Sequence, residues 1–134
     1  MRALLVCSMA GVIGVAACAL GRKVDAHEVA RAPAGIEITV RAAKSGEVKG
    51  ELLAADDSSL FVMVPPGRVA EVRYRDVRWI ELRKYRSFDT RGQVPRPAER
   101  RRWSAVARFP QGLSDELLAR LLAQSGQPAV EILQ

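Results

Sequence analysis

The chain has little of the side chains that most often carry nucleophilic catalysis or bind transition metals: one histidine and two cysteines in 134 residues. His27 stands alone, and both cysteines, Cys7 and Cys18, fall within the first eighteen residues. Beyond that point Ser-His and Cys-His catalytic pairs are excluded. So are an internal disulfide and a Cys/His zinc spacing. No glycine-rich loop of the kind that cradles phosphates is present either. The absences argue against an enzyme, and neither a metal nor another cofactor is expected. Asp56-Asp57 is a carboxylate pair with another possible use, a hard-cation site. Adjacent acids between two strands, however, ordinarily form the turn itself.

What is present begins at the N-terminus. Arg2 is the only charge before Arg22, and Ala3 to Ala17 are small or apolar apart from Ser8. This is the composition of a secretory signal, and with Gly11 and Gly14 the run makes only a borderline transmembrane span. Val15-Ala16-Ala17-Cys18 resembles the lipobox of bacterial lipoproteins, an aliphatic and two small residues before a cysteine. The resemblance implies cleavage before Cys18, removing a signal peptide at residues 1–17, and lipid attachment on the Cys18 thiol. Several acyl chains, each buried methylene contributing about 0.8 kcal/mol, would hold such a protein to a membrane. Ala19 after the cysteine resembles the family's outer-membrane sorting pattern, which implies a cell-envelope location facing the periplasm where two membranes exist. Cleavage after Ala19 or Ala26, or a retained anchor, are the alternatives, and Arg22-Lys23 just past the apolar run count against simple translocation. Residues 18–35 lack sustained periodicity and read as a flexible tether.

Without residues 1–17 the chain carries 20 basic and 15 acidic side chains. Between Arg68 and Arg108 lie 13 of the basic and only 5 of the acidic ones, so the positive charge is localised. At this length a single domain is expected.

Ile36, Ile38 and Val40 alternate with polar neighbours, the period of a half-buried strand. Turns at Lys44–Glu47 and Asp56–Ser59 bracket a second strand, Val48 to Ala55, in which Gly50 suits a bend or bulge. Leu60 to Val64 is a third, ended by Pro65-Pro66-Gly67. Val72 and Tyr74 face inward in a fourth, Arg73 and Arg75 outward. After a turn at Asp76–Arg78, Trp79 to Arg83 is the fifth. Five short strands in residues 36–84 suggest a mainly β fold, a small antiparallel barrel. Gly46, Gly50-Glu51-Leu52-Leu53-Ala54-Ala55-Asp56 and Tyr74-Arg75-Asp76-Val77-Arg78-Trp79-Ile80 resemble an Sm-like barrel, or more generally an SH3-like one. Leu60 stands where the RNA-binding members carry asparagine, and no Arg-Gly pair follows Val72. The resemblance therefore implies fold, and nucleic acid is not the expected partner.

Residues 85–134 form a C-terminal extension. Lys84 to Arg102, with Pro95, Pro97 and six arginines, reads as an exposed irregular connection. Trp103, Ala105, Ala107 and Phe109 alternate like a strand laid on the barrel. Ser114 is placed to cap a helix whose first turn holds Asp115 and Glu116, with Leu113 stapling onto Leu118 and Leu117, Leu118, Leu121 and Leu122 as its apolar stripe. Gly126 stops it, and Ala129 to Leu133 can return as a strand.

The arginines supply the anion-binding candidates: Arg73, Arg75, Arg78, Arg100, Arg101 and Arg102, whose guanidinium groups suit phosphates. A solvated face partly neutralised by Glu71, Asp76 and Glu81 is the plainer reading. Together these features point to a membrane-anchored envelope lipoprotein that binds or scaffolds an envelope protein or an anionic surface polymer. A nucleic-acid-binding Sm-like barrel and an envelope enzyme with an unrecognised site are the alternatives.

Overall fold

The computed structural model describes residues 35–85 and 87–134. The expected signal peptide, Cys18 and all of the expected tether except Gly35 lie outside the described residues. Seven strands and two α-helices follow: β1 (Glu37–Ala42), β2 (Gly46–Ala55), β3 (Ser59–Val64), β4 (Arg68–Arg73), β5 (Val77–Leu82), β6 (Ser87–Asp89), α1 (Pro97–Val106), α2 (Asp115–Ser125) and β7 (Glu131–Leu133). A 3-10 turn at Tyr74–Asp76 joins β4 to β5.

All seven strands belong to one sheet in the order β6-β5-β1-β2-β3-β4-β7. This corrects the expectation of a closed five-stranded antiparallel barrel, Sm-like or SH3-like. Closure requires β4 to pair with β5, but both edges are occupied otherwise. β5 takes β6 as its antiparallel neighbour, and β4 takes β7 as a parallel one through Ala70↔Glu131, Glu71↔Ile132 and Val72↔Leu133. The sheet is therefore open and mixed, while its mainly β character agrees with the sequence.

Alternation sets the two faces of the sheet. On one, Ile38 and Val40 of β1, Leu52 of β2, Leu60 and Val62 of β3, Val72 of β4 and Ile80 and Leu82 of β5 form the main core, into which α1 inserts Trp103 and Val106. On the other, Leu53 and Val69, with Phe61 and Met63, receive Leu117, Leu118, Leu121 and Leu122 of α2. The leucine stripe is thus an internal packing face. At roughly 1.5–3 kcal/mol for each fully buried large apolar side chain, these two clusters dominate the favourable side of folding.

Three local expectations need correction. Trp103 to Phe109 is not a strand: α1 runs through Val106, started by Pro97 at its first position, where the missing N–H has no intrahelical partner to lose. The Glu99 carboxylate accepts from Arg96 N at 3.0 Å, and Trp103 and Val106 meet the core at helical spacing. Within the expected irregular connection, Ser87–Asp89 pairs with β5, and the helix begins before Arg100. The irregularity in β2 falls between Leu52 and Ala54 and not at Gly50. Gly50 is needed for another reason, since a Cβ there would collide with the Met63 carbonyl oxygen. The second helix follows its signals closely. Ser114 Oγ accepts from Leu117 N at 3.2 Å, and Gly126 closes the helix at φ 67°.

Candidate functional site

Three segments meet at the end of the sheet where β2 turns into β3. The turn after β2 carries Asp56 and Asp57. Tyr74, at the start of the 3-10 turn, donates its backbone N–H to Ser58 O at 3.0 Å and its hydroxyl to Asp56 O at 3.0 Å. Helix α1 reaches the same turn through Ser104 Oγ, which donates to Ala55 O at 3.1 Å, and through Arg100, which pairs with Asp57 at 2.9 Å. Arg100 also donates to Pro95 O at 2.6 Å. The result is a cleft of about 380 Å³ with Asp56 and Asp57 on one wall and Arg100, Arg101 and Ser104 on the other.

Burial raises the Asp56 carboxyl above its ordinary value, and the charges of Asp57 and Glu71 push the same way. Burial likewise holds the Tyr74 phenol well above its usual range, against a lowering pull from Arg100. Tyr74 is therefore a neutral hydrogen-bond donor, fixed in the core, and Asp56 takes up a proton more readily than an ordinary aspartate.

The six arginines named from the sequence do not gather into one patch. Arg73, on β4, lies 3.6 Å from Glu71, and Arg75 lies 3.7 Å from Asp76. The second distance is too long for a hydrogen bond, and Asp76 Oδ2 is buried without one. Arg100 keeps only 17% of its side chain exposed and serves as a structural tie, whereas its partner Asp57 is 97% exposed. Arg78 on β5 and Arg101 and Arg102 on α1 are exposed and have no carboxylate within ion-pair distance among the described residues. Of the six candidates, these three are the ones open to an external anion.

Sequence reasoning assigned Asp56-Asp57 to the turn, where they do sit, and missed that the same pair faces α1. Nothing near them in the chain signals a partner 43 residues further on. A larger groove of about 660 Å³, lined by residues such as Lys49, Met63 and Pro66, lies at the opposite end of β3. Among the described residues no group of three or more His, Cys, Asp or Glu side chains is arranged to hold a metal ion. Among the same residues no helix is long and apolar enough to cross a membrane. No protein-family model matches the chain, and no curated protein or solved structure matches it.

Proposed function

We propose that this protein is a cell-envelope lipoprotein, anchored through Cys18, whose sheet domain binds anionic groups at the envelope surface and catalyses no reaction. The observation that carries the reading is Val15-Ala16-Ala17-Cys18 at the end of an apolar run with a single leading arginine. In a two-membrane cell the address is the periplasmic side of the outer membrane. Support for the binding role comes from Arg78, Arg101 and Arg102, which stay exposed and uncommitted while Arg73, Arg75 and Arg100 sit beside acids. Exposed guanidinium groups beside an anchored surface gain local concentration of anions at little structural cost.

Mass spectrometry of the protein isolated from the membrane fraction tests the anchor. The expected product begins at Cys18 and carries diacylglycerol there. Residues 1–17 intact, or an unmodified Cys18, sinks the proposal. For the surface, Arg101→Ser/Arg102→Ser lowers sedimentation with anionic vesicles, and added salt lowers it in the parent protein. Binding that ignores both changes removes the role of these arginines.

A further inference from the structure

The groove of about 660 Å³ beside the β3–β4 turn has a bare floor. Gly50 of β2 lines it, and a Cβ there would strike the Met63 carbonyl oxygen, so β2 shows only backbone at this point. Met63 and the exposed Pro65 and Pro66 make the rim apolar. The charged groups around it are committed to partners. Lys49 lies 3.3 Å from Glu47 and Glu37 2.8 Å from Arg83, while Arg108 holds Glu51. Such a lining suits small apolar groups and gives an external ion little to bind.

Glu37, Glu51 and Met63 are register neighbours across β1, β2 and β3, and Met63 packs against the α2 cluster, so the groove lies on the face that α2 covers. None of the residues in that cluster comes from β1, and the groove marks the margin where the cover stops. The chain enters the sheet at this margin. Gly35 is itself a wall of the groove, with its amide fixed on Glu51. A Cβ on Gly35 would strike the Leu52 carbonyl oxygen and the Arg108 amide, so its backbone is wedged against β2. Residue 34 is one Cα step, about 3.8 Å, from that wall.

We propose that residues 29–34 of the same chain dock in this groove. Their sequence, Val29-Ala30-Arg31-Ala32-Pro33-Ala34, suits the floor. An extended chain puts Ala30, Ala32 and Ala34 on one face, three methyl groups for a bare surface, and Arg31 and Pro33 on the other. Pro33 restricts both itself and Ala32 to extended backbone. A segment joined to the groove wall meets it at an effective concentration of about millimolar, so weak contacts suffice and an outside peptide must compete with it. The docking holds whether or not Cys18 carries lipid. Its consequence for the anchor rests on the reading above: with residues 18–28 as the free span, the fully extended reach falls from about 56–61 Å to about 36–40 Å. The sheet domain is then kept closer to its membrane.

The chain has three methionines, Met1, Met9 and Met63, so the Met63 methyl signal of the purified full chain is assigned with Met1→Leu/Met9→Leu. With alanine methyls labelled as well, the expected result is a nuclear Overhauser contact from the Met63 methyl to Ala30 or Ala32. Ala32→Glu puts a charge against the floor, shifts the Met63 signal and removes the contact to Ala30. Arg31→Glu, on the outer face, leaves both in place. Both substitutions precede the first strand, and unchanged signals from the sheet verify the fold in each variant. Absence of any contact from Met63 to Ala30 or Ala32 overturns the proposal, as do equal effects of Ala32→Glu and Arg31→Glu. Contacts that arise only between differently labelled copies put a second chain's segment in the groove and overturn it too.

Discussion

Arg108 grips Glu51 with both arms of its guanidinium group: Nε donates to Oε1 and Nη2 to Oε2, each at 2.6 Å. Glu51 Oε1 also accepts from Gly35 N at 2.5 Å. One carboxylate on β2 thereby fastens the chain as it leaves α1 and the chain as it enters β1. The backbone repeats the tie, since Arg108 N donates to Leu52 O and Ile36 N to Val106 O, both at 3.0 Å. A forked pair that is half withdrawn from water stabilises more than a surface pair and is costlier to break on one side only.

Glu51→Ala is therefore expected to lower the unfolding free energy by about 1–3 kcal/mol, as a half-buried guanidinium and the Gly35 amide both lose their acceptor. Arg108→Lys keeps the charge but not the fork and is expected to lose less than Arg108→Ala. Urea denaturation of Glu51→Ala, Arg108→Ala and their double variant gives the coupling. Single losses that simply add would show that the pair contributes nothing beyond its separate side chains.

Gly50 and Gly46 both sit in β2 yet respond oppositely to a small side chain. At Gly50 a Cβ would enter the space of the Met63 carbonyl oxygen, across the β2–β3 ladder, so Gly50→Ala forces strands apart and costs about 1–3 kcal/mol or more. Gly46 has φ 74° and open space around it, so Gly46→Asn, a residue that tolerates this backbone, changes stability by about 1 kcal/mol or less. Midpoints of urea unfolding compare the two. Equal losses would mean that neither the close approach nor the left-handed backbone governs these sites.

These contrasts also show what the sequence could disclose. The first five strands and α2 were legible because each carries its own local pattern: alternation between turns, or Ser114 before an acidic first turn and a leucine stripe. Barrel closure was misjudged because it depends on which strands occupy the edges: β6 is three residues long, too short for a periodic signal, and the strand expected at Ala129 to Leu133 gave no sign that it would pair with β4. Trp103, Ala105, Ala107 and Phe109 alternate by composition, while Pro97, Ala98 and Glu99 open a helix through the first two of them. The arginines were visible as charge, but their division into tied and free depends on acids brought from other strands, as Asp57 is brought to Arg100.

That division predicts different phenotypes for neighbouring arginines on α1. Arg100→Ser removes a mostly buried side chain that holds Asp57 and Pro95 O, and is expected to destabilise by about 1–2 kcal/mol. Arg101→Ser and Arg102→Ser change exposed groups and stay within about 0.5 kcal/mol of the parent. Vesicle binding should run the other way, falling with the second pair at unchanged thermal midpoint. Destabilisation by all three alike would contradict the assignment of Arg101 and Arg102 to the surface.

Asp56 supplies a pH-dependent prediction whose sign follows from its raised folded-state value. The folded protein binds this proton more tightly than the unfolded chain does, so protonation of Asp56 favours folding. The contribution is fully present below the ordinary Asp value of 3.8 and is lost as pH rises through the higher folded value. At neutral pH the parent therefore carries the cost of an ionised, half-buried carboxylate beside Asp57 and Glu71. Asp56→Asn removes that charge and keeps a residue suited to the turn, whose backbone bond from Asp56 N to Ser59 O at 2.9 Å is unaffected. The variant should be at least as stable as the parent at pH 7, and the gap between them should narrow as pH is lowered through the titration of Asp56 and vanish below about 3.8. Urea midpoints of both proteins across that range measure the gap directly, with the titration of every other shared group cancelling in the difference. A parent that outlasts the variant at neutral pH, by a margin that shrinks in acid, would reverse the sign and show that ionised Asp56 is held by a partner.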